Sequence, residues 1–378
     1  MLHINLHDNG QHLRFAPLTL TRPVGCLRMG IFTNEERWKV LIPSSDIGFT
    51  TEHYLQKRFK KNHEAIEVNA CIIPTLKLAQ EILELEHDTL LIQDNIWIAK
   101  KGTGERKKTY QNERLVFIST RWDLYAKNHE VLCLDFELIT KNRISQKLSD
   151  SNRLIGPKEL LFIEEGAVVE GSIINTITGP VYIGKSAEVM EGTVIRGALA
   201  LGEHSTLKLS TKVYGATTIG PHCKVGGEVN NVIFQSFSNK GHDGFLGNSI
   251  IGEWCNLGAD TNTSNLKNNY GNVSTYCYES SKEIDTDIQF MGLVMGDHSK
   301  CGINTMFNTA TVVGVSCNIF GGDFPAKHIP SFSWGGKNLV PFKLEKAIEY
   351  ANNMMNRRNL ELSTEEVEIL KYINAEKN

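Results

Sequence analysis

The chain has 378 residues, of which 41% are hydrophobic and 22% are charged, and its formal net charge is −3 at pH 7. This length suggests two or three domains, because single hydrophobic cores rarely grow beyond about 250 residues. The slightly acidic balance argues against a dedicated nucleic-acid-binding protein, since neutralising phosphates needs a basic face.

The start of the chain and its cysteines favour a cytoplasmic protein with no membrane partner. The first residues, MLHINLHDNG, lack the basic start and apolar core of a secretory signal. No apolar run approaches the roughly 20 residues that span a bilayer. The eight cysteines form no CxxC pair and no zinc spacing, so reduced thiols are expected.

Residues 1–150 are predicted to form an α/β domain. Strand-like runs alternate with helical stretches, which favours a sheet covered by helices. The predicted strands are LHINL, KVLIP, AIEVNACII, TLLIQDNIWIA and RLVFIST, and the predicted helices cover residues 52–60 and 76–85.

The segment DNGQHLRFAPLTLTRPV follows the first predicted strand. It resembles the opening of the sugar-phosphate nucleotidyltransferase family. The resemblance implies a loop at Gly10 that cradles a nucleoside triphosphate through backbone amides, with Arg14 and Arg22 holding phosphate. It also implies that Asp94, which follows a predicted strand, binds Mg²⁺.

This segment departs from the family pattern at two positions. The second glycine is missing, and the lysine expected after the proline is Val24. The domain is also short for a complete uridylyltransferase. Two interpretations stay open: a shortened but active nucleotidyltransferase that uses UTP or dTTP, or a degenerate relic or altered binding module.

Residues 151–330 contain an internal repeat of six residues. Eight consecutive aliphatic residues recur at this spacing, and a second series of mostly small or β-branched residues follows each by four positions. The first series is Ile183, Val189, Ile195, Leu201, Leu207, Val213, Ile219 and Val225, and the second is Ala187, Thr193, Leu199, Ser205, Thr211, Thr217, Cys223 and Val229. Six residues turn an α-helix through about 600°, which spreads these positions around its circumference. The repeat therefore predicts a parallel β-helix in which three six-residue units close each triangular coil.

The repeat is interrupted twice, over residues 230–249 and 263–287. Insertions in a solenoid emerge as loops on one face, and such loops often carry function. Cys223, Cys255 and Cys317 occupy small-residue positions of the repeat, so we interpret them as interior fillers and not as reactive thiols.

Residues 239–271 read NKGHDGFLGNSIIGEWCNLGADTNTSNLKNNYG. This segment resembles the acetyltransferase domain of the bifunctional N-acetylglucosamine-1-phosphate uridylyltransferase/glucosamine-1-phosphate acetyltransferase family, with matching spacing from Gly241 to Asn265. The resemblance implies left-handed coiling of the β-helix, His242 as the general base, and Asn256 and Asn265 at the acetyl-transfer site. It also implies acetyl-CoA as cosubstrate, an amino-sugar 1-phosphate such as glucosamine 1-phosphate as acceptor, and a homotrimer with sites between subunits.

The chemistry of acetyl transfer supports the role of His242 independently. An amine attacks a thioester only after it has lost a proton, and imidazole, which titrates near neutral pH, is suited to remove that proton. Backbone amides or an asparagine amide can stabilise the oxyanion.

The substrate-binding positions depart more from the family. A family tyrosine is Phe245 here, and Glu228 is retained, but asparagines stand where the family has a lysine. Lys240 and Lys267 are the candidates to contact the phosphate in its place.

Residues 331–378 are predicted to form a helical tail. Leu344, Ala347, Ala351 and Met355 share one helical face, and a second helix is predicted to start at Ser363 with a capping box. We expect the two helices to cap the open end of the solenoid, and a trimer contact is the alternative.

Three functional hypotheses follow. The first is acetyl transfer in the β-helix, with nucleotidyl transfer in the N-terminal domain as a further activity. The second is a sugar-1-phosphate nucleotidyltransferase whose β-helix is structural. The third is a non-catalytic trimeric scaffold.

Overall fold

The computed structural model of the chain describes residues 2–376. These residues divide into two compact units. The first contains the residues up to Phe15, Thr19–Leu27 and Phe32–Arg121, and the second contains Ala16–Leu18, Arg28–Ile31 and the residues from Trp122 onward. The predicted fold class, an α/β domain followed by a parallel β-helix and a helical tail, is confirmed.

The first unit is built on a mixed sheet of six strands. In spatial order the strands are Ser45–Thr50, Leu2–His7, Ile66–Asn69, Ile96–Lys101, Thr89–Gln93 and Arg106–Thr109. The first three are parallel, and the third and fourth pair antiparallel. The unit also contains helices Asn34–Leu41 and Leu76–Leu83, whose apolar side chains Trp38, Leu78 and Ile82 are buried in the core.

Three local predictions in this unit are wrong. The run KVLIP overlaps the end of helix Asn34–Leu41, which begins at a capping box between Thr33 and Glu36. An apolar run of this length does not distinguish strand from helix, and the capping signal decides the matter. Residues 52–60 form successive turns, and RLVFIST contributes an isolated bridge from Phe117 to Ile72.

The second unit is dominated by the parallel β-helix. One face stacks nine parallel strands: Val168–Val169, Glu188–Val189, Thr206–Leu207, Lys224–Val225, Asn239–Lys240, Asn256–Leu257, Lys300–Cys301, Asn318–Ile319 and Ser333–Gly335, with Leu339–Pro341 added antiparallel at the end. A second sheet contains Arg153–Ile155, Leu161–Ile163, Ile173–Asn175, Val181–Ile183, Val194–Arg196, Leu199–Leu201, Lys212–Tyr214, Thr217–Ile219, Glu228–Phe234, Phe245–Ile251, Val294–Met295, Val312–Val313 and His328–Ile329. Asn262–Thr263 pairs with Met306–Phe307, and Ser274–Cys277 forms a hairpin with Lys282–Asp285.

The six-residue repeat produces this stacking. Ile183 pairs in register with Leu201, and Leu201 with Ile219, so one coil contains three hexads. No member of the two predicted series is more than 1% exposed. Like residues therefore lie above one another in a continuous apolar core, and the prediction of inward-pointing hexad positions is confirmed.

The predicted interior cysteines also lie in this core. Cys223, Cys255 and Cys317 are at most 1% exposed. Burial raises the pKa of Cys223 and Cys317 to about 12 and raises that of Cys255 as well. All eight cysteines are free thiols.

The first interruption of the repeat is not a loop, contrary to the prediction. Strands Glu228–Phe234 and Phe245–Ile251 pair along their lengths within the solenoid. Thr206 pairs with Lys224, 18 residues later, whereas Lys224 pairs with Asn239, only 15 residues later. A coil that is three residues short shifts the hexad phase without expelling the chain.

The second interruption is a true insertion, as predicted. Asn256 pairs with Lys300, which lies 44 residues later in the sequence. The intervening chain leaves the solenoid and forms the antiparallel hairpin of Ser274–Cys277 and Lys282–Asp285.

Helices Asp123–Ala126 and Asn128–Thr140 belong to the second unit. Asn128 donates a hydrogen bond to the Ala216 carbonyl oxygen at 3.1 Å, and Leu132 packs against the alanines of the solenoid wall. These contacts explain why the compact units divide ahead of the boundary that we predicted at residue 150.

The tail forms helices Leu344–Met355 and Thr364–Glu376, and the predicted capping box between Ser363 and Glu366 is present. The first helix, called the C-terminal helix below, buries Ala347, Ala351 and Met355. Its residue Tyr350 packs near Trp334 of the last coils, and Arg358, just beyond its end, donates to the His222 carbonyl oxygen at 3.2 Å. The helix therefore runs back along the side of the solenoid, and the prediction that it caps the open end is wrong. No helix in residues 2–376 is long and apolar enough to cross a bilayer.

Candidate active site in the second unit

His242 lies at a corner of the shortened coil, between strands Asn239–Lys240 and Phe245–Ile251. The backbone at this corner is packed too tightly for larger residues. A Cβ on Gly244, whose φ is +113°, would collide with the Thr261 carbonyl oxygen of the next coil. On the preceding coil, Gly227 lies equally close to the His242 carbonyl oxygen. The corner is thus held between two coils while the imidazole is exposed.

A cavity of about 990 Å³ opens beside this corner. His242 and Asn256 line it from the solenoid. Tyr350, Arg357 and Arg358 line it from the C-terminal helix and the turn that follows. The structure therefore brings two of the three predicted catalytic residues to one cavity.

The cavity carries a strong positive charge. Five cationic side chains line it, and within residues 2–376 no Asp or Glu does: Lys208, Lys224, Lys300, Arg357 and Arg358. Burial lowers the pKa of Lys300, whose ammonium donates to the His298 carbonyl oxygen at 2.9 Å. Such a lining attracts a polyanion.

One wall of the cavity is aromatic. Four rings from successive coils, His204, His222, Phe237 and Trp254, stack with centroid separations of 5.0, 4.8 and 4.3 Å. We call this stack the aromatic ladder, and Phe237 and Trp254 are its members that line the cavity. The sequence contained a signal for it, because each ring directly precedes the small interior residue of its coil.

A row of polar side chains crosses the floor of the cavity. Lys224 is in register with Asn239, Asn239 with Asn256, and Asn256 with Lys300. Asn239 Oδ1 is buried and has no hydrogen-bond partner in the described chain. The cavity thus offers both cations and an unsatisfied amide to a ligand.

Three further predicted residues form a second group on the neighbouring face. Glu228 is in register with Phe245, and Gly247 lies between the Phe245 ring and the Asn265 amide. Asn265 Nδ2 donates to Asn248 Oδ1 at 2.8 Å, and so Asn265 lies apart from the cavity that holds His242 and Asn256.

Sequence reasoning missed two neighbours of Glu228. Tyr214 donates its hydroxyl to Glu228 at 2.6 Å, and the Lys212 ammonium lies 3.8 Å from the same carboxylate. Burial, together with Glu228, raises the pKa of Tyr214 to about 12. Lys212 pairs with Glu228 in the ladder, so counting back one coil would have identified it.

The two predicted phosphate-binding lysines are placed differently from the prediction. Lys240 is 1% exposed and points into the solenoid interior, so its ammonium does not reach a ligand in the cavity. Lys267 lies in the insertion and donates to the Asn272 carbonyl oxygen at 3.0 Å.

In the first unit, Gly10 adopts a φ of +68° in the turn after the first strand, and Arg14 is exposed while Arg22 is buried. The loop contains a buried carboxyl group that we did not predict. Asp8 accepts hydrogen bonds from the Val24 amide at 2.9 Å and from a threonine hydroxyl, and burial raises its pKa to about 7.

His12 stands near the position of the missing second glycine, where it is buried and its Nε2 lies 3.1 Å from the Tyr54 hydroxyl. Burial lowers the pKa of His12 to about 4. The loop is therefore packed by side chains where the family pattern has open backbone.

The fold of this unit corresponds to a known domain family. Residues 4–144 match the sugar nucleotidyl transferase family model. The protein named bifunctional protein GlmU from Methanocaldococcus jannaschii is 33% identical over 90 residues, which cover 24% of this chain and 21% of that protein. The bifunctional sugar-1-phosphate nucleotidylyltransferase/acetyltransferase from Sulfurisphaera tokodaii is 25% identical over 258 residues, which cover 66% and 59%. The chain thus spans about a fifth to three fifths of these relatives, and the predicted resemblance is confirmed at low identity.

Solved structures of acyltransferases are also similar to this chain. The polySia specific acetyltransferase NeuO has a TM-score of 0.30 and 14% identity, covering 51% of this chain and 87% of its own. The UDP-N-acetylglucosamine acyltransferase from Campylobacter jejuni has a TM-score of 0.24 and 14% identity, covering 61% and 97%.

The metal role predicted for Asp94 is not supported within the sugar nucleotidyl transferase segment. Asp94 and Asn95 both have positive φ and form the two-residue turn of a hairpin, which explains this residue pair on backbone grounds. Across residues 2–376, no group of three or more His, Cys, Asp or Glu side chains is arranged to hold a metal ion.

Proposed function

We propose that the second unit transfers an acetyl group from acetyl-CoA to the amine of an amino-sugar 1-phosphate, with glucosamine 1-phosphate as the expected acceptor. The observation that carries this proposal is the cationic cavity beside His242. The printed function of the Sulfurisphaera tokodaii relative, a nucleotidylyltransferase/acetyltransferase, supports the reaction class.

The cavity suits the donor. Its lysines and arginines match the phosphates of coenzyme A, since guanidinium groups bind phosphate through paired hydrogen bonds. Phe237 and Trp254 offer apolar surface to the adenine ring. A pantetheine arm that starts from this wall can bring the thioester to His242.

In the proposed reaction His242 removes a proton from the ammonium group of the acceptor, and the free amine attacks the thioester carbonyl carbon. The Asn256 amide then donates to the tetrahedral oxyanion. Collapse of this intermediate breaks the carbon–sulfur bond, and the departing thiolate takes up the proton held by His242. The products are the acetamido sugar and coenzyme A.

We propose that the second group, with Glu228, Phe245 and Asn265, binds the acceptor in a homotrimer. The group lies on a different face from the cavity, so a neighbouring subunit is needed to bring the two together. Lys212, which lies beside Glu228, is our candidate for the phosphate contact that we had assigned to Lys240 or Lys267.

The test is release of free thiol from acetyl-CoA in the presence of a panel of hexosamine 1-phosphates. We expect His242→Asn to lower kcat by about 10²-fold or more, because a positioned base contributes about 10² to 10⁴-fold. His204→Asn is the control, since His204 is an exposed corner histidine outside the cavity. Equal rates for wild type and His242→Asn would refute the proposal.

A second candidate is nucleotidyl transfer in the first unit, which the family match over residues 4–144 favours. It predicts release of pyrophosphate from UTP or dTTP with a sugar 1-phosphate and Mg²⁺, in a manner that depends on Arg14. Absence of pyrophosphate with any nucleoside triphosphate would eliminate it. A chain that binds neither acetyl-CoA nor a nucleotide would be a scaffold.

A further inference from the structure

Lys240 breaks the chemical pattern of the solenoid core. It is in register with Val225 of the preceding coil, at an inward-pointing position that is otherwise occupied by Val189, Leu207 and Leu257 in nearby coils. Its side chain is 1% exposed. A buried ammonium group is unfavourable compared with an aliphatic side chain of similar volume, so core packing does not explain a lysine here.

The contacts of the Lys240 ammonium show what it does. Nζ donates to the Gly226 carbonyl oxygen at 3.0 Å and to the His242 carbonyl oxygen at 2.9 Å. The Lys240 carbonyl oxygen in turn accepts from the Gly226 amide at 2.6 Å. The side chain therefore ties the His242 corner, from inside the prism, to the corner of the coil before it.

The shortened coil makes such a tether necessary. With 15 residues in place of 18, this coil has fewer backbone groups to pair with its neighbours at the corner. Gly241 has no atom within 4 Å of an ideal Cβ position, so the residue next to His242 is not held by packing. The hydrogen bond from Lys240 restrains the peptide that packing leaves loose.

We infer that Lys240 is a positioning residue that fixes the backbone of His242 from the core side and so orients the imidazole toward the cavity. This inference rests on the proposed function, because orientation matters only if His242 acts on a substrate. A base that is displaced by about 1 Å can lose about 10²-fold in rate without loss of substrate affinity.

The test compares Lys240→Met with Leu207→Met. Methionine is unbranched and close to lysine in length, so it fills the core without the tether. Leu207 is fully buried in the same inward row, away from the cavity, and it controls for repacking. In Lys240→Met we expect kcat to fall tenfold or more with KM for acetyl-CoA within threefold, and amide hydrogen exchange at residues 241–244 to accelerate. Leu207→Met should change neither.

Unchanged kcat in Lys240→Met, in an active enzyme, would overturn the positioning role, and unchanged exchange at 241–244 would overturn the tether itself. If the wild type acetylates no acceptor, the proposed function fails, whereas the exchange comparison still decides whether Lys240 restrains the corner. Lys240→Gln, which keeps one donor, serves if Lys240→Met does not fold, and its exchange at 241–244 should then exceed that of wild type.

Discussion

Asp8, at the end of the first strand of the first unit, is a buried carboxyl group in the segment expected to hold phosphate. Burial raises its pKa to about 7, whereas in the unfolded chain it titrates near 3.8. The folded state therefore binds more protons than the unfolded state between about pH 4 and pH 7, and the stability of the protein falls as pH rises through this window.

Asp8→Asn removes that ionisation. The amide oxygen can still accept from the Val24 amide. We expect the variant to match wild type in Tm near pH 4 and to exceed it at pH 8, by at most about 4 kcal/mol in the free energy of unfolding. Thermal unfolding at both pH values measures this. A Tm deficit of the same size at both would show that Asp8 is not ionising in the folded protein at pH 8.

Arg357 belongs to the cationic wall of the cavity and is exposed. If the wall binds the phosphates of the acyl donor, Arg357→Gln should raise KM for acetyl-CoA by about tenfold, since hydrogen bonds to charged groups contribute about 1.5–3 kcal/mol, while kcat stays within twofold. Arg106→Gln, a surface change in the first unit, is the control. An unchanged KM would place the donor elsewhere.

Single residues also show what sequence could identify. His242 and Asn256 were found because their neighbours match a contiguous motif. The cations of the cavity were not, since Lys208, Lys300 and Arg357 come from coils and a helix that are far apart in the chain. Their proximity depends on the number of residues in each coil, which no local pattern records.

The C-terminal helix contributes one side of the cavity, so its docking should control donor binding. Ala351 is fully buried in that contact. We expect Ala351→Asp to displace the helix, because an unpaired buried carboxylate is strongly unfavourable, and to raise KM for acetyl-CoA by more than tenfold. Glu349→Ala, an exposed change on the same helix, should leave KM unchanged. Equal KM values for the two variants would contradict a role of the helix in the site.

At the scale of elements, the sequence predicted what repeats and missed what depends on tertiary contact. Eight hexad positions in one phase defined the solenoid. A phase shift, however, reads the same whether residues are added or lost, and so the shortened coil at 230–249 was taken for an insertion. The amphipathic pattern of the C-terminal helix predicted its existence, whereas its path along the solenoid depends on Trp334 and Ala351 meeting surfaces that the pattern does not specify.

For the whole molecule, the placement of the candidate residues on two faces predicts a shared active site. We expect the mass in solution to be three times that of the chain. His242→Ala and Glu228→Ala should each be inactive alone, and when their subunits are mixed and exchanged at equal amounts, about one quarter of wild-type activity should return, since a random trimer pairs an intact cavity with an intact second group at that frequency. No recovery after verified exchange would mean that each chain holds a complete site.

Strands Glu228–Phe234 and Phe245–Ile251 each continue across a corner and so join two faces of the prism into one sheet. In a stretched molecule, coils with short separate strands can peel away one at a time, because each contacts only its neighbours. The joined pair must give way as a block. Pulled from both ends, the solenoid should lengthen in small steps and then resist at its middle, where the histidine corner is anchored.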